Sequence, residues 1–311
     1  MLEKALSGSK VYWAWIFVLL CLIGMGGGVY LYQLNEGLGV TGLNRDVSWG
    51  MYIAQFTFLV GVAASAVMVV LPYYLHDYKA FGKITILGEF LAIPACIMCM
   101  LFIFVDMGQP TRVTNVLLHP TLNSMMFWDM VALGGYLVLN LLIGAVTFDA
   151  ERKEGPPPGW IKPIIILSIP WAVSIHTVTA FLYSGLEARS FWMTAILAPR
   201  FLASAFASGP SLLILLALIL RKFTRFDPGE EAIRKLALIV AYAMAVNVFF
   251  VAVEAFSALY SDMPHHVHAF EYLYVGLHGH DALVPWMRTG ALLTVVSVTL
   301  LLIPRIRNNL R

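Results

Sequence analysis

The chain has 311 residues, 60% of them hydrophobic and only 12% charged, with a formal net charge of +2 and a mean hydropathy of +0.80. A soluble domain carries about a quarter charged residues, so the composition excludes a soluble globular protein and describes a polytopic membrane one. The three cysteines, Cys21, Cys96 and Cys99, all sit inside apolar runs, which excludes a disulfide framework or a paired CxxC cluster site.

The N-terminal stretch MLEKALSGSKVYWAW has two lysines ahead of a long apolar run and no A-x-A cleavage pattern. It reads as an uncleaved first helix, not a signal peptide. A spanning helix needs roughly 20 apolar residues, and eight runs qualify: Val11–Leu34, Gly50–Leu75, Ile84–Val105, Ser124–Phe148, Ile161–Gly185, Ala195–Leu220, Ile233–Tyr260 and Leu283–Ile303. The expected fold class is therefore an all-α, multi-pass membrane helix bundle.

Lysine and arginine are sorted by loop. The N-terminus, loops 2–3, 4–5 and 6–7 and the C-terminus hold 15 of the 20, leaving only Arg45, Arg112, Arg189, Arg200 and Arg288 on the other side. By the positive-inside rule both termini are cytoplasmic and the protein resides in the cytoplasmic (inner) membrane. The basic loops read as connectors. The outer segments, GLNRDVSWG (42–50), DMGQPTRV (106–113), LEARSFWMT (186–194) and HHVHAFEYLYVGLHGHDALVPWM (265–287), are aromatic-rich and low in charge. They read as ordered loops that cover a site or a partner. The small-residue runs VGVAASA and LASAFASG in helices 2 and 6 allow close helix contact.

Four helices carry polar stripes. Helix 3 has Glu89, Cys96, Cys99 and Asp106; helix 4 has Asp129, Tyr136 and Asn140; helix 7 has Asn247, Glu254, Ser257 and Ser261. In helix 5, His176, Thr179, Tyr183 and Glu187 follow at steps of three, four and four, one face of a helix. With the orientation above, Asp106, Asp129, Tyr183, Glu187 and Glu254 fall in the outer half, His176 nearer mid-membrane, and Glu89 near the inner face. An ionised side chain at mid-membrane costs at least ~2.5–3.5 kcal/mol on insertion scales, so such a set marks function more readily than chance. Individual members also suit interhelical hydrogen bonding. Cys96 and Cys99 read as buried small hydrophobes.

Acid, His and Tyr groups with an Arg near the membrane surface suit a quinone, whose headgroup needs hydrogen-bond donors and whose oxidation releases two protons to bases. Intramembrane acids also serve transporters. Haem b is disfavoured because His176 is the one histidine well inside a span. His265, His266, His268, His278 and His280 fall in the outer loop without an H-E-x-x-H pattern, so no metal site is expected.

NRDVSWGMYIAQFTFLVGVAASA (44–66), SGLEARSFWMTAILAPRFLASAFASGP (184–210) and GLHGHDALVPWM (276–287) resemble the polysulfide reductase NrfD-like family of quinone-interacting membrane subunits, in particular its DsrP and HmcC types. The resemblance covers most of the chain. It implies a subunit with no haem or iron–sulfur cluster of its own, in a respiratory complex linked to sulfur (sulfite) metabolism. Such a subunit exchanges electrons between menaquinol/menaquinone and an extracytoplasmic ferredoxin-like iron–sulfur subunit, often beside a multihaem cytochrome c and other membrane subunits. No nucleic-acid partner is expected. Ten-helix members have two four-helix bundles flanked by single helices. On that plan residues 1–311 form one membrane domain, with a first helix at 11–34, a first bundle at 50–185 and a second, incomplete bundle at 195–303, as for a chain that stops short of a longer sequence. The quinone pocket carried over comprises His176, Tyr183, Glu187 and Arg189, with Asp129 and Glu254 as neighbours. The stripe argument adds Tyr136 to the quinone-binding set and gives proton handling to His176, Glu187, Glu254 and Asp129. Two other readings stay open: a structural anchor for the iron–sulfur subunit, and a proton-translocating bundle.

Overall fold

The computed structural model describes residues 8–309 apart from 154, 156 and 225. Lys4, Arg225 and Arg311, three of the basic residues counted for orientation, lie outside the described residues, as does the N-terminal stretch before Gly8. Among the described residues eight helices are long and apolar enough to cross a membrane: α1 (Lys10–Glu36), α2 (Met51–Leu75), α3 (Lys79–Asp106), α4 (Met125–Ala150), α5 (Gly159–Ser184), α6 (Leu197–Phe223), α7 (Glu230–Tyr260) and α8 (Val284–Leu302). The protein is an all-α, multi-pass integral membrane protein. The bounds lie within a few residues of those expected, since apolar run length sets both.

The chain divides into two compact units, Met1–Gln55 with Leu101–Thr114, and Phe56–Met100 with Asn115–Arg311. In the first unit Ser9 caps α1, its side chain accepting from the Tyr12 backbone N–H at 3.2 Å, and Gly37 at φ +88° closes the other end. Most of α1 is exposed; Gln33 is its buried residue. Its amide donates to the Val105 carbonyl at 2.7 Å and its oxygen accepts from the Tyr52 hydroxyl at 2.6 Å. One satisfied polar side chain thus fixes the register of an otherwise apolar helix, because a buried amide is costly unless bonded.

In the second unit, α6 packs on α7 and α5, and α4 on α5. At the end bearing Lys79 and Lys83, Val69, Phe81, Ile84, Leu213, Ala217, Ala232 and Leu236 form a core drawn from α2, α3, α6 and α7. The Tyr78 hydroxyl, in the loop there, donates to Glu231 at 2.6 Å; that bond to a carboxylate pushes the phenol pKa up to about 12.

The small-residue runs do meet. α2 is interrupted between Met51–Ala64 and Val67–Leu75, and the Ser65 hydroxyl at the break donates to the Val62 carbonyl at 2.6 Å. A Cβ on Gly61 would stand 3.6 Å from the Ala205 Cα, and one on Gly209 of α6 would strike the Ser65 side chain. A Cβ would make ordinary contact at Gly61, whereas Gly209 leaves it no room. Gly209→Leu is therefore expected to destabilise the protein by about 1–3 kcal/mol or more through overpacking, whereas Gly24→Leu, where a Cβ meets nothing within 4 Å, is expected to be neutral. Thermal unfolding in detergent compares the two.

The segment 265–287, expected as a loop, begins instead with an amphipathic helix, Pro264–Tyr274. Proline at its first position suits helix initiation. His266, Val267, Phe270, Leu273 and Tyr274 are half-buried, while His265, His268 and Glu271 are exposed, a helical spacing hidden by the density of aromatics.

Candidate functional site

The stripe on α5 is built by helix register. His176, Thr179 and Tyr183 are all buried along Lys162–Ser184. The helix stops where Gly185 turns back, its N–H donating to the Phe181 carbonyl at 2.9 Å. Glu187, expected on the same stripe, therefore lies beyond the helix end and is exposed. The three-four-four spacing does not survive a helix that ends one turn early. Arg189 follows in the same turn, half-buried, and its carbonyl accepts from the Trp192 N–H at 2.9 Å.

Two contacts tie α5 to its neighbours. The Thr179 hydroxyl donates to Asp129 Oδ1 of α4 at 2.6 Å and also lies 2.8 Å from the Ile175 carbonyl. The Tyr183 hydroxyl shares a short hydrogen bond with the Thr57 hydroxyl of α2, in which either can donate. The Tyr183 ring stands edge-on to Trp192 (4.8 Å) and Phe201 (5.7 Å). Phe191, beside Trp192, packs edge-on to Phe270 at 5.5 Å and lies 6.2 Å from the His266 ring. The turn after α5 is thereby held between Tyr183 and the amphipathic helix, and aromatic pairs of this kind are worth about 0.5–1.5 kcal/mol each beyond area burial.

His176 is 2% exposed, and neither ring nitrogen has a hydrogen-bond partner among the described residues. A neutral imidazole carries one donor and one acceptor, and leaving a buried polar group unpaired costs about 1–3 kcal/mol. The ring thus places one donor and one acceptor about 10 Å along the helix from Tyr183, at 1.5 Å per residue.

Tyr136 and Glu254 have partners of their own on other helices. Tyr136 is two turns deeper on α4 than Asp129, about 10 Å, and its hydroxyl donates to the Ala63 carbonyl at 3.3 Å. It braces α4 against α2 instead of joining Tyr183. Glu254 is held by Arg200 of α6 in an ion pair. A buried carboxylate held by a guanidinium is an occupied acceptor, and the pair joins α6 to α7. Arg200 and Thr57 are the residues that stripe reading did not assign. Arg200 was traceable, since a buried acid calls for a cation and few arginines lie on that side; Thr57 carried no signal.

Cavities also open elsewhere among the described residues. One of about 540 Å³ between α6, α7 and α8 is lined by Ser204, Ser208, Ser211, Asn247, Thr294 and Ser297 among others. Another, of about 650 Å³, opens at the Lys79 end. Among the described residues no group of three or more His, Cys, Asp or Glu is placed to hold a metal ion.

The family described as polysulphide reductase, NrfD, matches residues 39–311. Among curated relatives, the chain is 28% identical over 255 residues to a candidate membrane component of dimethyl sulfoxide reductase from Halobacterium salinarum, covering 76% of this chain but 58% of that protein. It is 26% identical over 274 residues to the Hdr-like menaquinol oxidoreductase integral membrane subunit of Archaeoglobus fulgidus, covering 87% and 67%. With the integral membrane subunit of menaquinone reductase from Nitratidesulfovibrio vulgaris the identity is 22%, over 98% of this chain and 76% of that one. The match takes in seven of the eight helices, α2 to α8, and the chain belongs to the NrfD polysulphide reductase family.

Proposed function

We propose that this chain is the quinone-interacting membrane subunit of a respiratory electron-transfer complex, exchanging electrons between menaquinol or menaquinone and an extracytoplasmic iron–sulfur subunit. The observation that carries the reading is the buried polar layer at the end of α5. There Asp129–Thr179 and Tyr183–Thr57 are hydrogen-bonded pairs and His176 is an unpartnered buried ring among the described residues. Two relatives are named as menaquinol or menaquinone oxidoreductase subunits, which supports the same substrate. The resemblance to DsrP-type sequences supports a place in sulfur (sulfite) respiration.

With the basic-rich loops taken as cytoplasmic, Tyr183 lies at the outer end of α5, on the side of the Ser190–Trp192 turn and the amphipathic helix. On oxidation a quinol gives up two electrons, here to the iron–sulfur partner, and two protons. Tyr183 and Thr57 orient the headgroup, because a pair of hydroxyls that can exchange donor roles presents either a proton or a lone pair to a third oxygen. Asp129 accepts a proton through Thr179, and His176, with a free lone pair in its neutral form, accepts another. The exposed aromatic and histidine face of Pro264–Tyr274 serves as part of the surface for the iron–sulfur partner.

The anchor reading has an observation of its own: Tyr183, Asp129 and Glu254 each already have a partner within the chain. Photolabelling separates the two. A photoreactive menaquinone analogue in the assembled complex is expected to attach to residues 183–201 and to be displaced by excess menaquinol. Attachment only to other subunits would leave this chain as the anchor.

A further inference from the structure

At the opposite end of the second unit lies an acid that the quinone reading does not use. Glu89 of α3 is 2% exposed. Its Oε1 has no hydrogen-bond partner among the described residues, and its Oε2 accepts from the Thr147 hydroxyl of α4 at 3.1 Å. The same hydroxyl lies 2.8 Å from the Ile143 carbonyl and 3.3 Å from that of Gly144. A threonine hydroxyl has a single proton. It serves carboxylate and carbonyl only by alternating, and while it back-bonds to Ile143 its lone pairs face the acid, free to accept a proton from it. The pair is built to hold and pass a proton.

Thr147 also lines the cavity of about 650 Å³, along with Tyr73, Tyr74, Lys79, Lys83 and Thr85 among others. Its volume is room for several waters. Lys79 at the rim is exposed, so the cavity reaches the loop surface at that end. Lys83 is turned to the Asp227 carbonyl at 3.1 Å and does not neutralise the acid. The titratable groups in electrostatic range of Glu89 are Tyr74 of α2 and Tyr136 of α4, neither a cation. No described Lys, Arg or His forms an ion pair with it. A buried acid with one oxygen unpartnered among the described residues, a shared hydroxyl and a cavity beside that hydroxyl is more than helix packing requires; a hydrogen-bonded amide would do that.

We propose that Glu89 and Thr147 form a proton-exchange site that takes protons from the aqueous phase at the Lys79 end of the protein through this cavity. The proposal is independent of where quinone binds. It gives the subunit a protonatable group on the side away from the Tyr183 layer, reached by its own water path.

The test uses the full chain in liposomes and infrared difference spectra of carboxyl groups on transfer to deuterated buffer. In the wild type the protonated-carboxyl band of Glu89, identified by its loss in Glu89→Gln, is expected to shift within the mixing time. Thr147→Val is expected to slow that shift by about tenfold, the size of one lost hydrogen bond. Ile86→Trp, which fills the cavity from a half-buried lining position, is expected to slow it as well while leaving the acid untouched. A wild-type spectrum with no band that Glu89→Gln removes would overturn the proposal. So would a band that stays unshifted after prolonged exchange, or one that exchanges equally fast in Thr147→Val and Ile86→Trp. If Glu89→Gln fails to fold, Glu89→Asp, which moves the band instead of removing it, makes the assignment; a band so assigned that is slowed in Ile86→Trp supports the site, and one left unchanged there overturns it.

Discussion

Arg200→Met should destabilise the protein by about 3–5 kcal/mol, because it strands a buried carboxylate without its cation. The Glu254 side chain is 6% exposed and that of Arg200 30%, so the two ends of the pair are not equivalent. Losing the glutamate leaves an arginine that can reach toward the surface along its aliphatic stem. Glu254→Gln, which keeps a hydrogen-bond acceptor, should therefore cost only about 0.5–1.5 kcal/mol. The double replacement Arg200→Met with Glu254→Met removes both charges, and a buried pair exchanged for apolar groups is near neutral or stabilising. Unfolding of these proteins in detergent, with Glu254→Met as the second single variant, completes the cycle. The double variant also decides what Glu254 is for. If the pair only joins α6 to α7, the double variant should be stable and should turn over quinol; if Glu254 is a proton acceptor, it should be stable and inactive.

The spans were legible because their signal is crude: a bilayer asks for about 20 apolar residues, and nothing else in this composition competes. Helix ends were less legible, and that decided the fate of individual site residues. Glu187 satisfied the spacing rule but stands past Gly185, and spacing says nothing about a helix already terminated. The amphipathic helix at Pro264–Tyr274 was read as loop because histidines and aromatics at every second or third position blur the apolar stripe. The small-residue runs of α2 and α6 were read as permitting close helix contact, but that they meet each other was not legible, since a small residue says that a neighbour can come close and not which one. Pairings were legible only for charges. Glu254 needed a cation and Arg200 was within the count of outer-side arginines, whereas the Tyr183–Thr57 and Asp129–Thr179 bonds join hydroxyls that occur on every helix and carry no pattern in the sequence.

Of the acids expected to handle protons at the quinone site, Asp129 is buried and bonded to Thr179 whereas Glu187 is exposed, and on the proposed reading kinetics should separate them. Asp129→Asn keeps the shape and the Thr179 contact but removes the acceptor, so quinol oxidation by the assembled complex should slow by about 10²–10⁴-fold with quinol affinity largely kept. Glu187→Gln changes an exposed turn residue and should leave the rate near wild type. Tyr183→Phe and Thr57→Val each remove one member of a shared hydrogen bond, worth about 0.5–1.5 kcal/mol net, and should weaken quinol binding by no more than about tenfold. Because they break the same bond, combining them should cost little beyond either alone. His176→Leu removes a buried ring whose nitrogens have no partner among the described residues. In a packing role that change should stabilise the protein; as a proton acceptor it should slow turnover. Assembly is checked first, then rates are taken across pH. Wild-type rates in Asp129→Asn and His176→Leu together would mean that the polar layer only aligns helices, and that quinone is handled by another subunit of the complex.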